Sequence, residues 1–208
     1  MSLVHLLTLH GNNTLNIEPV PGIESLRFDH KHIGETSLPA NREIVLEDIA
    51  GNAMELAVEI HPGDARAISI NVLRSPDSEE FTAIKFFRHG GMPVIRHIQN
   101  EPKSYRLDQK DALVLDTSRS SLLPDVAARP PEVVPFELED SEPLKLRIFI
   151  DRSVVEVFAN NRQCIALRVY PERKDSIGVS IRAQGRDASL RLLDRWQMKS
   201  IYSKGDCP

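Results

Sequence analysis

Apolar and polar residues alternate with a period of two along much of the chain, and that pattern leaves few folds open. Ile165, Leu167 and Val169 point one way while Ala166, Arg168 and Tyr170 point the other. Ile177, Val179 and Ile181 alternate in the same way with Gly178, Ser180 and Arg182. Leu56, Val58 and Ile60 alternate with Ala57 and Glu59, and Ile68, Ile70 and Val72 with Ser69 and Asn71. Successive side chains of a strand project to opposite faces, so each run reads as a half-buried strand with one face on a core. No window longer than about a dozen residues keeps a helical stripe. The chain reads as all-β.

Turn chemistry separates the runs: Gly11-Asn12-Asn13, Ala50-Gly51-Asn52, His61-Pro62-Gly63-Asp64, Ser75-Pro76-Asp77, His89-Gly90-Gly91 and Gly185-Arg186-Asp187. Strands are expected near 4–9, 14–18, 43–48, 53–60, 66–73, 80–87, 93–98, 112–116, 145–150, 154–159, 163–170, 176–182 and 188–202, the last divisible in two. Antiparallel strands with one wet face, joined by tight turns, close as a sandwich or a barrel. The many strands and strongly polar faces favour a two-sheet antiparallel β-sandwich, concanavalin-like, of about twelve strands. Residues 122–143 break the pattern with Pro124, Pro130, Pro131, Pro135 and Pro143 among Glu132, Glu137, Glu139, Asp140 and Glu142. Proline removes ladder donors, so this stretch is expected as a long surface loop or crossover within one domain spanning residues 1–208.

Composition narrows the partners. At 208 residues, with 41% hydrophobic and 27% charged, the chain can bury a substantial core without metals or disulfide staples. Twenty-six basic residues against thirty acidic give a net charge of −4, which argues against nucleic acid as the main partner. No run approaches the roughly 20 apolar residues that a helix needs to cross a bilayer, so no membrane partner is expected. Cys164 and Cys207 form no metal pattern; a free buried thiol and a tail thiol are favoured over a bridge between them. His30 and His32 form a His-x-His pair, but such a pair alone is a weak metal signal, and His89 and His97 read as solvated. Neither a Gly-x-Ser-x-Gly elbow nor a glycine-rich phosphate loop occurs. Neither a metal nor a cofactor is expected. Tyr105, Tyr170 and Trp196 are the weak candidates for stacking on a sugar ring, Trp196 reading more readily as core or interface.

The most specific stretch is Leu146-Arg147-Ile148-Phe149-Ile150-Asp151-Arg152-Ser153-Val154-Val155-Glu156-Val157-Phe158. Read from its residues alone it is a hairpin: two apolar strands around the polar turn Asp151-Arg152-Ser153. It also resembles the C-terminal β-sandwich of family 32 glycoside hydrolases, the invertases, levanases, inulinases and related β-fructosidases. The resemblance continues through Cys164-Ile165-Ala166-Leu167-Arg168-Val169-Tyr170-Pro171 and into the closing strand around Trp196. Upstream, Asp116-Thr117-Ser118-Arg119-Ser120-Ser121 is similar to the family's aspartate-serine-arginine-serine segment, and the stretch from Glu18 to Arg27 looks like its lead-in to the sandwich. Residues 28–112 match only loosely, by strand pattern.

The resemblance implies structural roles for Asp116, Arg119, Ser120, Asp151, Arg152, Ser153, Glu156, Phe158, Tyr170 and Trp196. It also implies a catalytic partner: in that family the chemistry belongs to a preceding five-bladed β-propeller, whose Trp-x-Asn-Asp-Pro-Asn, Arg-Asp-Pro and Glu-Cys motifs do not occur in these 208 residues. Trp196 is followed by Gln197, Arg186-Asp187 leads into Ala188, and Cys164 follows Gln163. Asp151 and Glu156 are the tempting acid pair, but a retaining glycosidase needs two carboxyl groups about 5–5.5 Å apart in a sugar cleft. No aromatic platform marks one here, and Glu156 is expected as a satisfied polar group in a sheet or at a domain contact. The expected function is therefore a non-catalytic C-terminal module of a fructan- or sucrose-hydrolysing glycosidase, packing against and stabilising the propeller of its own parent chain. A fructan-binding module and a dimerisation or partner-binding module are the alternatives. Because polymeric fructans do not enter cells, the parent is expected to be extracellular or periplasmic.

Overall fold

The computed structural model describes residues 3–9, 14–97 and 105–201, with side chains for all of these except 91–97 and 105–109. Fifteen strands run β1 (His5–Leu9), β2 (Leu15–Pro19), β3 (Arg27–Ile33), β4 (Thr36–Leu38), β5 (Glu43–Ala50), β6 (Ala53–His61), β7 (Ala67–Arg74), β8 (Thr82–His97), β9 (Tyr105–Asp116), β10 (Glu132–Pro135), β11 (Leu144–Asp151), β12 (Val154–Ala159), β13 (Gln163–Arg168), β14 (Gly178–Gln184) and β15 (Ala188–Met198). A 3₁₀ turn, Ile23–Leu26, precedes β3. One sheet has six strands in the order β10-β9-β8-β7-β14-β5. The other has seven: β13-β12-β11-β6-β15-β3, with β4 beside β15. Strands β1 and β2 form a separate hairpin that lies over β12 and β13.

The period-two pattern sets which side chains meet. In β11, Leu144, Leu146, Ile148 and Ile150 face inward, and register brings Ile148 opposite Leu56 on one side and Val157 on the other. In the six-stranded sheet Ile70 sits between Ile84 and Ile181. The two inner faces close on one cluster that includes Ile148, Leu56 and Val157 from one sheet and Ile70, Ile84 and Ile181 from the other. Each such side chain stabilises the fold by about 1.5–3 kcal/mol relative to exposure. All named strand pairs are antiparallel. The architecture is the all-β, two-sheet sandwich that the alternation predicts.

Four local expectations need correction. Residues 27–33 and 36–38 are strands at the β15 edge, although Arg-Phe-Asp-His-Lys-His-Ile carries too few apolar residues to signal one. The proline- and acid-rich stretch 122–143 is not all loop: β10 pairs with β9, its Pro135 ending an edge strand where no ladder donor is needed. Phe136 and Leu138, just after it, are buried and belong to the core. His89-Gly90-Gly91 is not a turn between two strands; β8 runs through it, with a register shift between Phe87 and Met92 that marks a bulge. Finally, β15 is continuous, with register shifts at Leu190/Leu192 and Arg195/Gln197.

Candidate functional site

Two clusters of polar residues stand out, one holding loops at the end of the six-stranded sheet and one spread over the outer face of the seven-stranded sheet. The first centres on Glu80, which is fully buried. Its carboxylate accepts hydrogen bonds from the Ser176 hydroxyl (2.6 Å) and from the backbone N–H groups of Glu172 (2.8 Å), Leu122 (2.9 Å) and Arg173 (3.1 Å). Burial pushes its pKa up, but these donors outweigh burial and hold it below the ordinary glutamate value. The Asp116–Ser121 segment is fastened to the same place. Asp116 pairs with Lys85 at 2.7 Å and accepts from the Ser118 N–H, while Ser120 donates its hydroxyl to the Thr117 carbonyl. Arg119 donates to the Ser78 carbonyl, lies 4.7 Å from the Phe81 ring and accepts the Phe81 N–H on its own carbonyl. Arg173 adds ion pairs to Asp77, Glu79 and Asp175. Hydrogen bonds from Ser75, Arg173 and Glu79 pull the Asp77 carboxyl down to about 2. Glu80 thus joins three stretches far apart in sequence, whereas the sequence pattern marks it only as the first residue of a strand after the Ser75-Pro76-Asp77 turn.

The second cluster follows from register. Cross-strand partners share a face, so Trp196, Glu55, Phe149 and Glu156 form one row across β15, β6, β11 and β12. The neighbouring row runs His32, Asp194, Ala57, Arg147, Phe158 and Cys164 from β3 to β13. Glu55 is fully buried between two guanidinium groups: Arg27 binds it at 2.7 and 2.8 Å, and Arg147 at 2.9 Å. Arg147 also reaches Glu24 on the 3₁₀ turn at 2.9 Å. The hydrogen bonds that Arg27 donates to Glu55 raise its pKa against the opposing effect of burial. Arg27 lies 4.1 Å from the centre of the Trp196 ring, and His30 stacks on the same ring at 4.9 Å. Trp196 is therefore half-buried, with its ring engaged by two cationic or aromatic neighbours.

Beyond Trp196, His30 and His32 converge on one oxygen of Asp194, at 2.7 and 2.8 Å. Burial raises the Asp194 carboxyl, but the two histidines pull it below its ordinary range. The His-x-His pair is bound to a carboxylate of its own sheet. At the other end of the face, Glu156 is buried under the β1–β2 hairpin. It contacts His5 Nε2 at 2.7 Å through Oε1 and accepts the Leu3 N–H at 2.7 Å on Oε2. The Cys164 sulfur lies 3.9 Å from both His5 Nε2 and Glu156 Oε1. Burial, then the Glu156 charge, push the Cys164 thiol up to about 12. Cys164 forms no disulfide; Cys207 and Tyr202 lie outside the described residues.

Asp151 and Glu156 are not brought together. Asp151 is exposed at the tip of the β11–β12 hairpin, and Glu156 is turned toward His5. The turn itself is held by main-chain bonds, Arg152 N–H to the Asn52 carbonyl and Val169 N–H to the Ser153 carbonyl, with Arg152 in the left-handed region at φ 52°. Tyr170 is about one-third exposed beside Arg168. Tyr105 begins β9, but its side chain is outside the described set. A cleft of about 590 Å³ is lined by Arg66, Arg88, His89, Arg186, Asp64 and Asp140 and by backbone-rich turns, with no Phe, Tyr or Trp among its lining residues. Among the described residues, every carboxyl whose pKa shift is resolved is shifted downward: Glu24, Asp29, Glu43, Asp77, Glu80, Asp116, Glu142, Asp175 and Asp194. A glycosidase acid needs the opposite shift so that it holds a proton to donate.

The structure defines an all-β, two-sheet antiparallel sandwich domain in which the buried acids Glu55, Glu80 and Glu156 are engaged by side-chain and main-chain donors. The chain belongs, more particularly, to the C-terminal domains of glycosyl hydrolase family 32: the family profile matches residues 22–197. It is 34% identical over 146 residues to the insoluble isoenzyme 1 of β-fructofuranosidase from Oryza sativa subsp. indica, covering 64% of this chain and 22% of that one. It is 44% identical over 63 residues to the raffinose invertase of Escherichia coli, covering 30% of this chain and 13% of that one. Among solved structures, fructan 1-exohydrolase IIa from Cichorium intybus shares the fold with a TM-score of 0.75 at 18% identity, covering 94% of this chain and 40% of that one. The exo-inulinase of Aspergillus awamori does so with a TM-score of 0.66 at 16% identity, covering 95% and 35%. The chain therefore spans about a fifth of the curated plant relatives it matches.

Proposed function

We propose that this chain is the non-catalytic C-terminal module of a fructan- or sucrose-hydrolysing glycosidase, folded as one sandwich domain that packs against and stabilises a catalytic propeller. The observation that carries this reading is coverage: nearly all of this chain aligns with a fructan exohydrolase, yet it accounts for only 40% of that enzyme. The physical state of the acids supports it, since Glu55, Glu80 and Glu156 are all buried and engaged in holding strands and loops together. The motif residues Asp116, Arg119 and Ser120 act in the same way, as a bracket for the loop that follows β9. Two plant relatives are described as an insoluble isoenzyme and a cell wall isozyme, which fits an exported parent.

The test is direct. Incubated alone with sucrose, levan or inulin, the chain releases no fructose. Supplied to the separately produced catalytic propeller of its parent, it raises the temperature at which that propeller loses sucrose-hydrolysing activity. Fructose release by the chain alone, or a propeller whose heat inactivation is unchanged by it, overturns the reading. Titration with fructo-oligosaccharides at millimolar concentration separates out the fructan-binding alternative, which predicts heat of binding and protection of Tyr170 or Trp196.

A further inference from the structure

The cluster at the far end of the outer face has a geometry that packing does not require. His5 comes from β1, Glu156 from β12 and Cys164 from β13, so three separate strands deliver one nitrogen, one oxygen and one sulfur to the same point. Their ligand atoms all lie within 4.8 Å of one another. Glu156 is 1% exposed, yet the groups that reach it are a histidine, a main-chain N–H and a thiol, with no lysine or arginine among them. This contrasts with the equally buried Glu55, which holds two guanidinium groups. A buried carboxylate is costly unless a cation or several donors compensate it.

A nucleophilic Cys-His-Glu relay does not fit. In a relay the carboxylate and the thiol engage opposite nitrogens of the imidazole. Here both approach His5 Nε2, the carboxylate at 2.7 Å and the sulfur at 3.9 Å. Convergence of three donor atoms on one point is instead what a metal ion requires.

We infer that His5, Glu156 and Cys164 form a binding site for a borderline-soft divalent cation of the zinc class, which fastens the β1–β2 hairpin to the seven-stranded sheet. Tetrahedral zinc with ligands at about 2.0–2.3 Å sets nitrogen-to-sulfur and oxygen-to-sulfur separations near 3.5 Å and a nitrogen-to-oxygen separation near 3.3 Å. The sulfur therefore moves in by a few tenths of an ångström and the imidazole moves out by slightly more, within the reach of side-chain rotation. Glu156 offers Oε1 to the ion while the Leu3 N–H holds Oε2, the kind of outer hydrogen bond that orients a metal-binding carboxylate. His5 lies edge-on to Phe158 at 5.2 Å, which fixes the ring from its other side. Three protein ligands leave a fourth position on the solvent side, where His5 is about one-third exposed. The ion would displace the thiol proton and neutralise the carboxylate, removing the mismatch that the buried cluster otherwise carries.

The experiment uses the whole chain, freed of metal by chelation under reducing conditions and titrated with zinc and then with cobalt. The expected result is one zinc bound per chain, a thiolate-to-cobalt charge-transfer band, and slower hydrogen exchange at the β1–β2 amides when zinc is present. Cys164→Ser abolishes the band and weakens zinc binding at least 100-fold, His5→Ala weakens it at least tenfold, and Cys207→Ser changes neither. His5 sits on the outlying hairpin, so its variant folds even if the replacement at Cys164 disturbs the sheet. Absence of stoichiometric binding at micromolar zinc, binding that survives Cys164→Ser, binding lost with Cys207→Ser, or hairpin exchange that ignores zinc each overturns the inference.

Discussion

Glu80 shows how one side chain can hold together regions that are remote in sequence. Its four donors come from two segments, Leu122 and the stretch from Glu172 to Ser176, and replacing it by alanine strands three main-chain N–H groups in a buried site. Each unsatisfied donor costs about 1–3 kcal/mol, so Glu80→Ala should lower stability by about 3 kcal/mol or more in urea unfolding, with Glu80→Gln costing about half as much. The pH dependence follows from the direction of its shift. The folded-state pKa is lowered, so the stabilisation is fully present above the ordinary value of 4.5 and is lost as pH falls through the lowered one. The gap in unfolding midpoint between the native chain and Glu80→Gln should therefore be widest near neutrality and shrink below pH 4.5; a gap constant with pH would contradict this account. The bracket was half legible from sequence. The Asp116–Ser121 and Tyr170-Pro171 stretches are specific enough to notice, but Glu80 looks like any polar residue that opens a strand after a turn such as Ser75-Pro76-Asp77. What singles it out is burial under two other loops, which no local pattern encodes.

Strands were readable where a run of alternating apolar residues marked one face and unreadable where such residues were few, as in β3, β4 and β10, which bring only Ile33, Leu38 and Val134 to the core. β6, β7, β11 and β14 announce themselves through alternating Ile, Leu and Val. β3 does not, because Arg27 belongs to the outer face and Asp29, His30 and His32 are exposed. Its place at the sheet edge is tied by polar contacts: Arg27 to Glu55, the two histidines to Asp194, and Arg195 to the Asp29 carboxylate and carbonyl. Alternation correctly puts Glu55 on the outer face but cannot foresee that β3 and the 3₁₀ turn cover it. Since Glu55 is buried while Arg27 and Arg147 keep about a quarter of their surface, the pair energies are partly screened. Glu55→Ala should still cost about 2–3 kcal/mol, because it leaves two guanidinium groups without their shared acceptor. Adding Arg27→Met and Arg147→Met to Glu55→Leu should recover most of that loss, since a well-packed apolar triad can replace a buried ionic one. Thermal unfolding of the single and triple variants measures both effects; a triple variant less stable than Glu55→Ala would mean that the charges, rather than their mutual satisfaction, hold β3 in place.

At the scale of the whole molecule, the distribution of apolar surface is uneven. Val4, Leu6, Leu7, Leu9 and Leu15 are all exposed within the β1–β2 hairpin, with Leu9 at 71%. Elsewhere the exposed apolar residues among the described set are scattered, and single exposed hydrophobes are ordinary. A concentrated patch on a chain of net charge −4 favours association, because the weak overall charge opposes it little. The isolated chain should thus self-associate as its concentration rises, and light scattering should show the mass increasing from that of a monomer. Leu7→Lys with Leu9→Lys should keep it monomeric at the same concentrations. Both side chains are mostly in water, so the double substitution should shift stability by no more than about 0.5 kcal/mol. The same variant also discriminates what the patch is for. If the chain protects a catalytic propeller as proposed and the hairpin meets it, the two lysines should remove that heat protection. If that protection survives while self-association is lost, the hairpin serves contacts between copies, and the propeller is held by another surface.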